Sequence, residues 1–407
     1  MASINPSAAV FNVSGSPLPR WGSNLSAGSV FMAITLFCTL LSHIGEISFG
    51  GFTIRGWAWS IVLVAAMFFL LPHRFRNPVK CCCWIWIPWV AWMIEKTDFS
   101  NREAAQRFFI FITPLLTLLA CSSFQQIDIA AIRRGIDRLA FGSIAIYLAA
   151  VVAAHSLLAL ATWYTIAGIA MTFTFLAVTE STDLRNAPPK TWVMLSIYYL
   201  VLLFTESRMP LLVLPAVAVF GYNGLSLRKK AVLGISVIAL SLAGFYAGPV
   251  QQNIFHRGYG SLSELFSFDP DIVNTSGRLT AWPQFFAGID DIWKGDGATS
   301  SAEFGYATFR GWTHTHNEYL RILFDYGIVG VILLAIPTLY LLVSLIRNAQ
   351  RYRNNPQMRW LFAASINGLL AMLLLGVSGN VLMYIAYIGN LLFALIGCAY
   401  AAAQETR

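Results

Sequence analysis

Apolar residues in this 407-residue chain come in long unbroken blocks rather than at the 3.6-residue spacing of a half-buried helix. Leu139 to Thr179 gives 41 consecutive residues without Asp, Glu, Lys or Arg, and Trp360 to Gln404 gives 45. About 20 apolar residues in a helix cross the hydrocarbon core, so each stretch is two crossings; one helix of that length would overshoot about twofold. The first is expected to turn near His155 to Trp163 and the second at Ser378-Gly379-Asn380, where small and polar residues favour a turn. Shorter blocks near 29–46, 57–71, 82–95, 107–124, 191–205, 209–222, 231–249 and 320–346 bring the expected count to about 12 spans. The fold class is therefore all-α, a polytopic membrane protein. Residues 1–249 carry the first nine helices, 250–317 form one large hydrophilic loop, and 318–407 carry the last three. The first 28 residues are polar and Ser/Pro-rich, so no cleaved signal peptide is expected and the first span directs insertion.

Composition agrees with this reading. The chain is 57% hydrophobic and 11% charged, with a mean hydropathy of +0.63, which excludes a disordered tail and an ordinary soluble domain. The net charge of +8 raises nucleic acid as a partner, but basic residues on a lipid-soluble chain mark cytoplasmic loops instead. Placing both termini in the cytoplasm puts 17 of the 27 Lys and Arg residues inside. The short outer segments hold five: Arg55, Lys96, Arg102, Arg107 and Arg208. That orientation puts the loop from Pro249 to Asn317 outside. The six cysteines lie in or beside apolar blocks, so no disulfide framework is implied, and Cys81 to Cys83 read as small buried side chains rather than a metal site.

Chemistry is to be sought in and around the outer loop. Its 7 acidic and 4 basic residues exclude a general polyanion surface, so an anion there must be met by individually placed arginines. Three places stand out. Thr205-Glu206-Ser207-Arg208-Met209-Pro210 interrupts two apolar blocks; Arg208 either sits at the outer rim or lines a wet cavity, and snorkelling or pairing with Glu206 is the plainer alternative. Ser276-Gly277-Arg278-Leu279-Thr280-Ala281-Trp282 sets small residues before an arginine, which lets backbone approach a ligand that a planar guanidinium would grip. The nearby Gly295-Asp296-Gly297 fits a turn as well as a phosphate cradle. The third place, Trp312-Thr313-His314-Thr315-His316-Asn317-Glu318-Tyr319-Leu320, runs into a membrane helix. Thr315 and Glu318 fit a capping box, which puts His316 in the first helical turn, where the positive helix end keeps imidazole neutral and favours an anion nearby. His314 and His316 as a metal pair lack a third and fourth ligand; Asp269-Pro270-Asp271, the nearest acidic pair, is set aside. His155 reads as a core residue, and His256, Arg257 and Tyr259 are candidate contacts without a diagnostic pattern.

The array His316-Asn317-x-Tyr319-Leu320-x-x-x-x-Asp325-x-Gly327-x-x-Gly330, preceded by Gly277-Arg278-x-x-x-Trp282 and Ser207-Arg208, resembles the signature of the bacterial O-antigen ligase and polymerase superfamily. The likeness runs from about Thr205 to Leu334, and the layout of about 12 spans with one large periplasmic loop is similar over the whole chain. The family often has Glu where this chain has Asp325. The resemblance implies a GT-C-like glycosyltransferase, without metal or cofactor, that takes its glycan from a polyprenyl pyrophosphate. Arg208 and Arg278 would hold the pyrophosphate leaving group and His316 would take the acceptor's proton, inverting the anomeric centre. Trp282, Arg310, His314, Asn317 and Tyr319 are the expected substrate contacts.

The expected function is O-antigen ligation, from undecaprenyl pyrophosphate to a sugar of lipid A-core, by a monomer in the bacterial inner membrane with its site facing the periplasm. Its partners are the lipid-linked donor, the lipid A-core acceptor and membrane lipids. The alternative within the family is an O-antigen polymerase, whose acceptor is a second lipid-linked repeat. A different class, a transporter or flippase, requires paired broken helices and ionisable groups at the midplane, whereas the polar residues here gather on one face.

Overall fold

The computed structural model describes residues 26–44, 47–49, 52–70, 83–154, 159–204, 208–246, 251–252, 254–267, 269–275, 277–309, 315–377, 379 and 387–405. Almost everything described is helix. The helices before the outer loop are α1 (Ala27–Ser42), α2 (Ile54–Leu70), α3 (Ile87–Lys96), α4 (Arg102–Ser122), α5 (Ile129–Ala154), α6 (Ala159–Glu180), α7 (Pro189–Phe204), α8 (Arg208–Phe220) and α9 (Leu227–Phe245). Short helices α10 (Leu262–Ser267), α11 (Arg278–Ala287) and α12 (Ser300–Phe309) lie within the loop, and α13 (Glu318–Arg351), α14 (Pro356–Leu375) and α15 (Gly389–Glu405) follow it. The strands described, Ser48–Phe49 and Phe52–Thr53, make a two-residue antiparallel hairpin ahead of α2.

Every block that reads as a span in the sequence holds a helix. Four helical segments, Arg102–Ser122, Ile129–Val152, Glu318–Arg351 and Pro356–Leu375, are long and apolar enough to cross a bilayer, which makes this an all-α membrane protein. Others are short. α3 has ten residues, about 15 Å of rise, and would reach only halfway through a hydrocarbon core of about 30 Å. Two helices are described on the first long charge-free stretch, α5 ending at Ala154 and α6 beginning at Ala159, and residues 155–158 between them lie outside the described residues. Polar residues mark the helix starts: Asn101 accepts from the amides of Glu103 and Ala104 before α4, and Asn355 from those of Gln357 and Met358 before α14.

The core is centred on α15, which packs closely along α4. A Cβ on Gly397 would meet Cys121 Cβ at 2.5 Å and the Leu118 carbonyl at 2.7 Å, so the two backbones approach as only small residues permit. Cys121 and Cys398 are fully buried free thiols in this seam.

The most consequential feature is a break in α13 at Gly327, where φ is 68° and ψ is −175°. In a continuous helix the carbonyls of Phe324 and Asp325 would accept from Ile328 and Val329. Here they accept instead from Asp296 N (2.9 Å) and Gly297 N (3.0 Å), while Ile328 N and Val329 N donate to the carbonyls of Ile292 (2.9 Å) and Trp293 (3.1 Å). Trp92 Nε1 donates to the Tyr326 carbonyl at 2.9 Å. The loop strand 292–297 is thus laced into the break, and Gly295-Asp296-Gly297 is a structural turn whose amides are committed, not a phosphate cradle. Gly295 and Gly327 lie face to face: a Cβ on Gly327 would stand 2.3 Å from the Trp293 carbonyl oxygen, and one on Gly295 2.4 Å from Gly327 N.

A methyl group at Gly327 therefore meets backbone on one side and a conformation reserved for glycine on the other. Gly327→Ala is expected to lower stability by about 3 kcal/mol or more, read as a large fall in melting temperature and membrane yield of the detergent-extracted protein. Gly234→Ala, in α9 with its nearest neighbour at 3.6 Å, is expected to leave both unchanged.

Candidate active site

The site is assembled where the start of α11 meets the start of α13. Gly277 precedes α11 with φ 75°, a left-handed turn that no β-carbon obstructs, and Arg278 is the first helical residue. Thr275 Oγ1 accepts from Leu279 N (3.2 Å) and Thr280 Oγ1 donates to the Gly277 carbonyl (2.8 Å), so the turn is braced on both sides. Arg278 consequently stands at a positive helix end, a doubly favourable place for an anion.

On the other side, Thr315 is fully buried; its hydroxyl donates to the Asn317 carbonyl at 2.7 Å, and Asn317 N donates back to it at 3.3 Å. Between them His316 adopts φ 49°, a left-handed conformation uncommon for a residue with a side chain. The capping residue is Asn317, whose Oδ1 accepts from Leu320 N at 3.0 Å. The expected capping box is therefore corrected. Thr315 sits two residues too early to cap and braces the turn instead, Glu318 pairs with Arg321, and His316 lies just outside the helix rather than in its first turn.

Three contacts fix this corner. Trp282 Nε1 donates to the Thr315 carbonyl at 2.9 Å, tying α11 to the turn. Glu318 N donates to the Gly376 carbonyl (2.8 Å) and Tyr319 Oη to the Leu373 carbonyl (2.6 Å), tying the helix start to the end of α14. Beneath them Phe285, Phe304, Phe309 and Phe324 from α11, α12 and α13 form a cluster with ring centroids 5.4 to 6.4 Å apart.

His316 is half-buried, and its pKa falls from the ordinary 6.5 to about 4, first because burial disfavours the cation and second because the charge of Arg278 repels it. The second cause is a spatial statement: the guanidinium and the imidazole, 38 positions apart in sequence, share one corner. Arg208 opens α8. The far end of α8 is anchored where Asn367 Oδ1 accepts from Tyr222 N at 2.7 Å, midway along α14. Gly224 then passes Asp183, which pairs with Arg359 in the first turn of α14. α8 thus runs antiparallel to α14, and its first residue lies toward the end of α14 that holds Glu318. The side chain of Arg208, together with Ser207, Arg310 and His314, lies outside the described residues, as do His155, Cys81 and Cys82.

Some sequence candidates turn out to be employed in the loop itself. Arg257 makes a two-pronged bond to Glu264 (2.6 and 2.7 Å), with Nε on the Tyr259 carbonyl (2.8 Å). Asp269 Oδ1 accepts from Asp271 N at 2.9 Å, a turn. Among the described residues no cluster of three or more His, Cys, Asp or Glu could hold a metal ion.

Sequence reasoning missed the support beneath the site. Asp325, 1% exposed, accepts from Ser301 N at the start of α12 (2.9 Å) and faces Arg107 of α4 at 3.6 Å. Arg107, treated above as an outer-segment charge, is 2% exposed and also bonds Glu103 at 2.7 Å; Arg321, 1% exposed, pairs with Glu318 and lies 4.9 Å over the Phe111 ring. The available signal was a basic residue in a segment that the charge pattern assigns to the side where basic residues are scarce.

Residues 192–335, which run from α7 into α13 and include Arg208, Arg278, His316 and Gly327, match the family model of the O-antigen ligases. Over this stretch the chain is similar to the O-antigen ligases. No curated protein matches the chain. The match supports an O-antigen ligase or polymerase-type membrane enzyme, and the motif resemblance from Ser207 to Gly330 falls wholly inside the matched residues.

Because the folded midpoint of His316 lies below the unfolded value of 6.5, the unfolded chain takes up the proton first as pH falls. Its contribution to stability is full above pH 6.5 and is lost down to about pH 4. Histidine-selective NMR in detergent is expected to show this ring titrating near 4, and Arg278→Gln to move the midpoint upward but short of 6.5, since burial remains.

Proposed function

We propose that the protein is an inverting, metal-independent glycosyltransferase of the GT-C type that moves O-antigen polysaccharide from undecaprenyl pyrophosphate to a sugar hydroxyl of lipid A-core. It works as a monomer that crosses the bacterial inner membrane about 12 times, a number that counts one crossing for each of the eight shorter apolar blocks and two for each of the two long ones. Both termini are cytoplasmic and the site opens to the periplasm. The observation that carries this reading is a neutral imidazole beside a fixed guanidinium at a positive helix end, supported on apolar helices.

Each group has one task. The acceptor hydroxyl gives its proton to the unprotonated ring nitrogen of His316 as its oxygen bonds to C1 of the donor sugar. The C1–O bond to the pyrophosphate breaks on the opposite face, and its electron pair leaves with the diphosphate, whose charge Arg278 and Arg208 bind. Inversion follows from that in-line geometry. A proton affinity as low as that of unliganded His316 makes a weak base; a diphosphate against Arg278 offsets the cation that depresses it. The base is thus strengthened when the donor is seated, and an idle site does not activate water.

Ligation is favoured over polymerisation by the layout, a compact chain with one dominant outer loop. The two separate in the lipopolysaccharide of a deletion strain. Bare core confirms the ligase, core with a single repeat assigns the polymerase, and an unchanged ladder rejects both. In the complemented strain His316→Ala is expected to reduce transfer by about 10²-fold or more at normal membrane abundance. Arg278→Lys is expected to lose about tenfold or more, since a point charge does not replace the guanidinium fork. Wild-type ladders from either variant remove that residue from its role.

A further inference from the structure

Beside the Arg278–His316 corner lies a groove of about 440 Å³, lined by Leu279, Trp282, Pro283 and Phe286 of α11 and by Asn317 and Leu320 of α13. Resting on the transferase reading above, we infer that this groove seats the acceptor sugar, the ring whose hydroxyl is presented to His316. Its volume falls in the range of small-molecule sites, about 300–1,000 Å³. Its walls adjoin both functional groups, for Leu279 follows Arg278 and Asn317 follows His316.

The chemistry of the walls suits a pyranose, which has apolar C–H faces and hydroxyls around its edge. Positions 279, 282, 283 and 286 fall on one face of α11, three and four apart, and set an indole, a phenyl and a pyrrolidine ring side by side. The Trp282 N–H is committed to the Thr315 carbonyl, so the indole is held by its edge. Asn317 uses its carbonyl oxygen as the helix cap, which leaves amide N–H donors for a ring hydroxyl. Phe286 is 54% exposed beside the fully buried Phe285, so the phenylalanine cluster does not need it. The exposed ring is therefore available for a sugar face to lie on.

An isoprenoid chain fits less well. A lipid tail needs a path that continues into the hydrocarbon, whereas every wall of this groove comes from α11 or from α13 on the loop side of the Gly327 break. The diphosphate belongs at Arg278, and in-line attack then brings the acceptor from the His316 side, where Asn317 stands.

The test uses the full chain in nanodiscs with purified lipid A-core and lipid-linked glycan, each varied in turn at saturating levels of the other. Two variants spare the fold: Phe286→Ala removes an exposed ring, and Asn317→Ser keeps a capping oxygen while deleting the amide donors. Both are expected to raise KM for lipid A-core about three- to tenfold with KM for the lipid-linked glycan unchanged, and Phe286→Trp to restore it. A rise in KM for the lipid-linked glycan instead, or no change in either, overturns the assignment. A binding measurement separates this from the function itself. Core oligosaccharide freed from lipid A should give saturation-transfer NMR signals that weaken about threefold or more in Phe286→Ala, whether or not transfer occurs. Binding without transfer by the wild type refutes the transferase reading and keeps the groove; transfer without any effect of Phe286→Ala does the reverse.

Discussion

A helix in a membrane cannot be interrupted unless something satisfies the backbone groups that the interruption frees. In α13 the interruption is at Gly327, and the loop segment 292–297 supplies two amides and two carbonyls in exchange for the two bonds the helix gives up. Each unsatisfied group in a dry interior costs several kcal/mol, so loop and helix are bound to one another. The break also resolves a length problem. Thirty-four residues of helix would rise about 51 Å, whereas residues 328–351 rise about 36 Å, close to a bilayer's width. What precedes the break is free to serve the site: nine residues that begin beside His316 and present Asp325 to α4 and α12.

The basic residues that run against the positive-inside bias follow the same logic. Arg55 lies 5.1 Å over the Tyr387 ring, Arg102 lies 5.9 Å over Phe52, and Lys96 donates to the Gly295 carbonyl at 3.1 Å from the loop's own turn. Arg107 faces Asp325. Arg55, Arg102, Lys96 and Arg107 therefore act on the protein itself, where they meet a carbonyl, a carboxylate and ring faces. A buried guanidinium next to a carboxylate contributes little net stability over an apolar pair, but breaking one partner leaves a charge stranded. Arg107 and Asp325 thus register α4, α12 and α13 against each other more than they stabilise them. The fifth cation expected on the outer side, Arg208, begins α8, and the proposed reaction gives it to the substrate.

Helix positions were legible in the sequence because the blocks without charge are a direct physical requirement of hydrocarbon, and the helices follow them closely. His316 and Arg278 were singled out because a histidine and an arginine stand at polar, small-residue interruptions, and the fold brings the two to one corner. The capping box misled because Thr315 and Glu318 have the right spacing, yet Asn317 is the better-placed cap, and a histidine with positive φ leaves no signature in a one-dimensional pattern. Least legible was the exchange at Gly327. Gly295-Asp296-Gly297 and Gly327 are separately ordinary, and only their meeting 30 positions apart gives both their meaning. Arg107, more than 200 positions before Asp325, is hidden by the same distance in sequence.

Rigidity at this corner has a chemical purpose. The charge that develops on a departing diphosphate is best met by groups that need not move, because reorganisation during the reaction subtracts from their effect. Arg278 is fixed through the Gly277 turn, the phenylalanine cluster beneath α11 and the Trp282–Thr315 bond; His316 through Thr315, Asn317 and the end of α14. Both frames meet in α13, whose position is set by the strand at Gly327. A guanidinium and an uncharged imidazole are thereby held in one corner. In the proposed reaction the charge of Arg278, which helps to lower the histidine's proton affinity, makes that affinity responsive to an incoming anion, so one arginine would both receive the diphosphate and ready the base.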